Sequence, residues 1–184
     1  MREASGQVLV ETMVALSMTV IGLIGILMVL NTSIGLNRVI TNQYIASYLA
    51  SEGIELAGYQ LDVNVFSSQP YQAGFQSGLY VVTAGTNGLE LTRFSSNTTW
   101  TTTTILALPT TLVYSAQDSS GHPMYLSYLT PPPNPSPTPY HRVVVVTTKS
   151  ADEVMVNSVV VWITKGGVAM SVNVEDHFYN WRKP

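Results

Sequence analysis

VLVETMVALSMTVIGLIGILMVL, Val8 to Leu30, is the stretch on which the fold turns. Its 23 residues hold a single ionisable side chain, Glu11. As a helix rising about 1.5 Å per residue, they would span roughly 34 Å, enough to cross a bilayer. A helix packed in a soluble core rarely stays apolar on every side for so long, so length and lack of charge favour a membrane span. A secretory signal is the other rival. Its apolar region usually has about 7–15 residues, follows basic residues and closes on a small-x-small cleavage site. Here the run is longer and passes into Asn31, Thr32 and Ser33 with no such exit. The segment is therefore expected to be retained.

The helical reading continues outward. No proline interrupts Ile34 to Tyr59, and apolar residues recur at Ile45, Leu49, Leu56 and Tyr59, with Ala46 and Tyr48 alongside. Gly35, Gly53 and Gly58 each weaken a helix by roughly 1 kcal/mol relative to alanine, so tertiary packing of one face has to offset them. Glu52 and Glu55 fall on the more polar side. Unbroken from Gln7 to Gln60, the helix would be a rod of roughly 80 Å.

After Asp62, Gly, Ser, Thr, Asn and Pro become frequent and apolar residues alternate. LYVVT (79–83) and LELTRF (89–94) flank Asn87-Gly88, a strong hairpin signal because both residues tolerate positive φ. LVYSA (112–116) and MYLSYL (124–129) flank Asp118, Gly121 and Pro123, a second hairpin. VVVVTT (143–148), VNSVVVWIT (156–164) and VAMSVNV (168–174) follow, the last two joined by a tight turn at Lys165-Gly166-Gly167. In the last of these, Val168, Met170, Val172 and Val174 share one side, Ser171 and Asn173 the other. SSNTTWTTTT (95–104) reads as a loop or edge. TPPPNPSPTP (130–139) reads as an extended, exposed connector, since proline cannot donate to a ladder. The expected organisation is α+β. A leader (1–6) is followed by an apolar helix (7–60, spanning the membrane over about 8–30) and an antiparallel β head (61–184).

Composition narrows the function classes. The 184-residue chain carries a formal net charge of -3, with only 10% charged residues and no cysteine. No basic cluster points to nucleic acid, and disulfides and thiolate metal sites are excluded. His122, His141 and His177 are scattered, with no metal-ligand spacing. Glu175-Asp176-His177 reads as a solvated turn at a strand end. No nucleotide or nucleophile-elbow motif is present, and no serine or threonine has a recognisable base, so neither an enzyme nor a cofactor is expected. Trp162 and Trp181 are expected to pack on the sheet or helix, and Trp100 to anchor a loop.

Glu11 remains to be explained. At a bilayer centre a carboxylate costs roughly 2.5–3.5 kcal/mol on insertion scales, and less near one end. It could simply reach the headgroups. Alternatively, a cut after Gly6 would give Gln7 a new α-amine one helical turn from Glu11. That amine, or the amine of a neighbouring chain, and the helix dipole would stabilise the charge. Glu11 would then act as a registry device between subunits.

These residues carry a resemblance. A short leader ending in Gly6, then Gln7, then VLVE with Glu11 fifth after the cut, then a long apolar helix, resembles the prepilin signal of type IV pilins and pseudopilins. YLASEGIELAG (48–58) resembles the helix continuation of minor-pilin-like proteins. VVVWITKGG…VNVEDHFYNWR is similar to the closing hairpin and tail of pilin V and general-secretion I-type pseudopilins. Where the family usually has phenylalanine after the cut, this chain has Gln7. The resemblance implies prepilin-peptidase cleavage between Gly6 and Gln7 and N-methylation of Gln7. It also implies a role for Glu11 in filament assembly. The implied partners are inner-membrane lipid, the peptidase and other pilin or pseudopilin subunits. The rival class is a single-pass anchored extracellular binding module that does not polymerise.

Overall fold

The computed structural model describes residues 4–85, 88–117, 120–130 and 136–181, with side chains from Gly6 onward. The N-terminal part of the expected leader, Asn87, Asp118 and the core of the proline run lie outside the described residues. The chain is α+β, a long N-terminal helix followed by a seven-stranded antiparallel sheet. It divides into two compact units, residues 1–42 and 43–184.

Helix α1 runs from Ala4 to Phe66 without a break, so it includes the end of the expected leader and continues beyond Gln60. The continuation has a local cause. No glycine or proline lies between Tyr59 and Phe66, and Ala57, Leu61 and Val65 keep an i,i+4 repeat. The helix unwinds at Ser67–Gln69, where Ser68 adopts φ 55° ahead of Pro70. Asn64 then ties the exit down, its Nδ2 donating to the carbonyls of Tyr71 (3.1 Å) and Ala73 (2.8 Å).

In the second unit the strands are β1 (Gly78–Gly85), β2 (Gly88–Ser95), β3 (Leu112–Gln117), β4 (Pro123–Leu126), β5 (Pro137–Ser150), β6 (Glu153–Ile163) and β7 (Ala169–Tyr179). The hairpins β1–β2, β3–β4 and β6–β7 form as the turn residues predict, and Gly88, Gly121 and Gly167 take positive φ. Long β5 organises the sheet. One edge pairs with β6 from Tyr140 to Ser150. The other is shared, its first half pairing with β3 and its second with β1.

The connector reading of residues 130–139 is corrected at its end, because Pro137–Pro139 belong to β5. Proline lacks the N–H but keeps its carbonyl, and at a strand start that is tolerated. The neighbouring residues complete the pairing. The Ser136 carbonyl accepts from Ser115 N at 3.0 Å, and the Thr138 hydroxyl donates to the Val113 carbonyl at 2.7 Å.

Alternation along the central strands sends side chains to two cores. Val144, Val146, Val154, Val156, Val160 and Trp162 face α1, which buries Ala46, Leu49, Ala50, Ile54, Ala57 and Leu61 against them. Val143, Val145, Val159 and Val161 face away and meet a short helix, α2 (Thr102–Ala107), through Ile105 and Leu106, with Phe94 and Trp100 alongside. Burial on both faces explains why β5 and β6 read as unbroken valine runs. The threonine-rich stretch is therefore partly a helix. Thr101 and Thr104 form a reciprocal capping box, with the Thr101 hydroxyl accepting from Thr104 N at 3.1 Å and Thr104 Oγ1 accepting from Thr101 N at 2.8 Å.

Three further expectations change. Tyr48 and Tyr59 point to solvent, while Ala46, Ala50, Ile54 and Ala57 take the buried stripe. Small residues win that stripe because the helix lies close to the sheet. A Cβ at Gly53 would strike Ser158 Oγ and come within 2.9 Å of Val144, and one at Gly58 would lie 3.0 Å from the Phe178 ring. Trp162 is in the core as expected, but Trp181, two residues past the end of β7, is 75% exposed. Glu175-Asp176-His177 lie inside β7, because pairing with β6 continues to Tyr179 opposite Glu153.

Candidate assembly site on the N-terminal helix

Residues 8–30 of α1 present their apolar side chains outward on every side; Leu16, Ile21 and Met28 are 69%, 71% and 72% exposed. No described residue of this unit covers them, and α1 is long and apolar enough to cross a bilayer. The polar groups in this stretch are nonetheless satisfied locally. Thr12 donates to the Leu9 carbonyl at 2.9 Å, Ser17 to Met13 at 2.7 Å and Thr19 to Ala15 at 2.8 Å. Each hydroxyl reaches back one turn, which hides it in an apolar solvent.

Glu11 has no such recourse, since a carboxylate only accepts hydrogen bonds, and the carbonyls one turn back only accept too. Among the described residues it forms no hydrogen bond or ion pair within the chain. Gln7 lies one turn before it on the same face, and Gly6 precedes Gln7 with open space around its α-carbon. The three residues named by the sequence pattern therefore fall together in one exposed turn and a half of helix. No other described side chain joins them. Gly22 and Gly25 likewise have nothing within 4 Å of a notional Cβ.

The second unit contains a charge that the sequence reading missed. Arg142, on β5, is fully buried beneath α1. Its guanidinium donates to the Leu49 carbonyl at 3.2 Å and to the Tyr125 carbonyl at 2.8 Å, and it pairs with the Glu52 carboxylate. Burial pulls the guanidinium below its ordinary value, while Glu52 pushes the other way and keeps it charged. Glu52 is thus an ion-pair partner and does not simply belong to a solvated face. Alternation carried a signal for this: Arg142 shares its side of β5 with inward-facing Tyr140, Val144 and Val146.

The histidines have separate surroundings. His141 Nδ1 lies 2.9 Å from the Thr111 hydroxyl, and burial pushes its pKa down. His177 Nδ1 lies 2.8 Å from Glu153 Oε1, and that hydrogen bond leads the causes that raise its pKa. No group of three or more His, Asp or Glu side chains with metal-holding geometry occurs among the described residues. Comparison with protein-family models, curated proteins and solved structures returns no match to this chain.

Proposed function

We propose that this chain is a minor type IV pilin or pseudopilin subunit that acts by assembly and carries out no chemistry of its own. The observation that carries this reading is the pairing of a fully uncovered apolar helix with one unpartnered carboxylate, Glu11, placed one turn after Gln7. In the precursor, residues 8–30 sit in lipid with the N-terminus cytoplasmic and the β head outside. Prepilin peptidase cuts between Gly6 and Gln7, and Gln7 is methylated. The new α-amine then offers Glu11 the cation that the chain itself lacks, first in cis and then across subunits. Lateral contacts between apolar helices replace lipid. Dispersion and close approach at Gly22 and Gly25 drive them, because lipid is already apolar and gives no hydrophobic gain. The head forms the outer surface of the filament or pseudopilus.

The test is the mass of the N-terminal peptide from cells that express the prepilin peptidase. The expected species begins at Gln7 and carries one methyl group. An intact Met1–Gly6 segment on the mature protein would favour a non-polymerising anchored binding module and sink this reading.

A further inference from the structure

The C-terminal turns of α1 and the end of β7 flank a half-open cleft of about 390 Å³ in the second unit. Leu61, Asp62 and Tyr71 line one side; Phe178, Asn180 and Trp181 line the other. Phe178 packs against the core beside Gly58, where an added Cβ would lie 3.0 Å from its ring. Asn180 N donates to the Asp152 carbonyl at 2.8 Å and Trp181 N to the Tyr179 carbonyl at 2.9 Å, which pins the backbone beneath the indole. The indole itself is 75% exposed. His177 and Tyr179 border the cleft too, but they alternate with Phe178 along the strand. Their side chains therefore lie on the opposite face, where His177 meets Glu153.

Asp62 is therefore the charge that faces the space from the described residues. Tyr71 senses it: burial first, and Asp62 second, push its phenol up to about 12, so the hydroxyl stays neutral and able to donate. An aromatic face is electron-rich at its centre and attracts cations, more strongly for indole than for phenol or benzene. A carboxylate beside three such rings selects further. It repels anions and gives a neutral ligand nothing beyond contact area. A small, strongly hydrated metal ion gains little from rings that offer no lone pairs, whereas an organic cation with an apolar skin gains from both. We propose that this cleft binds a substituted ammonium or guanidinium group, with Trp181, Tyr71 and Phe178 as its walls and Asp62 as its counter-ion. The source is either a small quaternary ammonium compound or a basic side chain of a partner polypeptide. This site is independent of the assembly reading, since it uses none of residues 6–30.

The test is calorimetric titration of the full chain in a polyoxyethylene detergent, whose headgroup is neither a sugar nor an ammonium. The probes are tetramethylammonium, choline, N-acetyl-arginine amide and 3,3-dimethyl-1-butanol, the uncharged carbon analogue of choline. Saturable binding of the cations is expected, with the uncharged analogue at least roughly tenfold weaker. Stronger binding of the arginine derivative assigns the source to a partner side chain, and stronger binding of choline to a small molecule; both support the site. Trp181→Ala and Asp62→Asn are each expected to weaken cation binding roughly tenfold, while Trp181→Phe retains most of it. Both altered side chains are exposed, so unchanged thermal unfolding is expected to accompany the loss. Arg182 and Lys183 follow Trp181 in the sequence. Neutralising both with glutamine should leave binding as tight or tighter, since two competing cations are removed. Equal binding of the uncharged analogue, indifference to Asp62→Asn, no saturable cation binding, or loss of binding in the glutamine pair would each overturn the proposal.

Discussion

Glu11 and Arg142 are each a lone charge in an apolar stretch, VLVETMVAL in one case and YHRVVVV in the other. Their surroundings differ completely. Arg142 is buried to 0% exposure and meets two carbonyls and the Glu52 carboxylate, drawn from α1 and β4. Glu11 lies on an uncovered helix and meets nothing among the described residues. A buried charge without a partner is too costly to keep, so a retained one has its partner somewhere. For Arg142 the partner is within the chain, and the charge serves the fold. For Glu11 no partner lies among the described residues, and under the proposed function the charge would meet an α-amine after cleavage.

The glycines repeat the contrast. Gly53 is pressed against Ser158 and Val144, whereas Gly25 faces open space. One glycine lets the helix reach its own sheet; the other meets no described side chain.

The largest effect expected on the isolated chain is that of Arg142→Ala. It strips Glu52 of its partner and removes the donor that the Tyr125 carbonyl and, beyond its helical bond, the Leu49 carbonyl accept from. The predicted loss is about 3 kcal/mol, the lower part of the range for breaking a buried pair, because Glu52 can rehydrate. Denaturant unfolding of the head in detergent would measure it, and a loss below about 1 kcal/mol would break the comparison. Next comes Gly53→Ala, predicted to destabilise the head by about 1–3 kcal/mol through overpacking against Ser158 and Val144, despite better helix propensity. The same change at Gly25 should leave the unfolding of the head unaltered. Matching effects at the two sites would contradict their assignment to different roles.

The smallest effects concern the histidines, which have opposite signs. His141 has a folded pKa below its ordinary 6.5, so the unfolded chain takes up a proton first and stability falls as pH drops below that value. His177 has a folded pKa raised above 6.5, so its contribution is full below that value and fades as pH rises through the folded pKa. Melting temperature against pH should therefore decline gently on both sides. His177→Gln is expected to flatten only the alkaline side; loss of the acid-side decline in that variant would show the assignments to be reversed.

Much of this was legible in the sequence because turn chemistry and periodicity are local. Lys165-Gly166-Gly167 marks its hairpin unaided, and the valine runs of β5 and β6 announce strands covered on both faces. That Gln7 and Glu11 share a helix face was legible from their four-residue spacing, whereas Gly6 entered through the resemblance to a prepilin signal. What escaped depends on distant partners. The ion pair of Arg142 with Glu52 joins residues 90 apart in the chain, so neither looks special locally. The α2 cap hides in a run of threonines because Thr104 fills the position that Glu or Gln usually takes. Pro137 and Pro139 looked unfit for a strand because a missing donor is visible in sequence, while the Ser136 carbonyl and Thr138 hydroxyl that complete the pairing are not. Trp181 looked like core because aromatic residues usually are, and only its place past the end of β7 shows that its side chain is largely exposed.

The central claim is tested most directly by Glu11→Ala in cells that make the filament. Membrane insertion, cleavage after Gly6 and head unfolding should match the unaltered chain, while recovery of the subunit in sheared or cross-linked filaments should collapse. Normal incorporation of the alanine variant would contradict the account, because a carboxylate that no subunit needs is not a registry device.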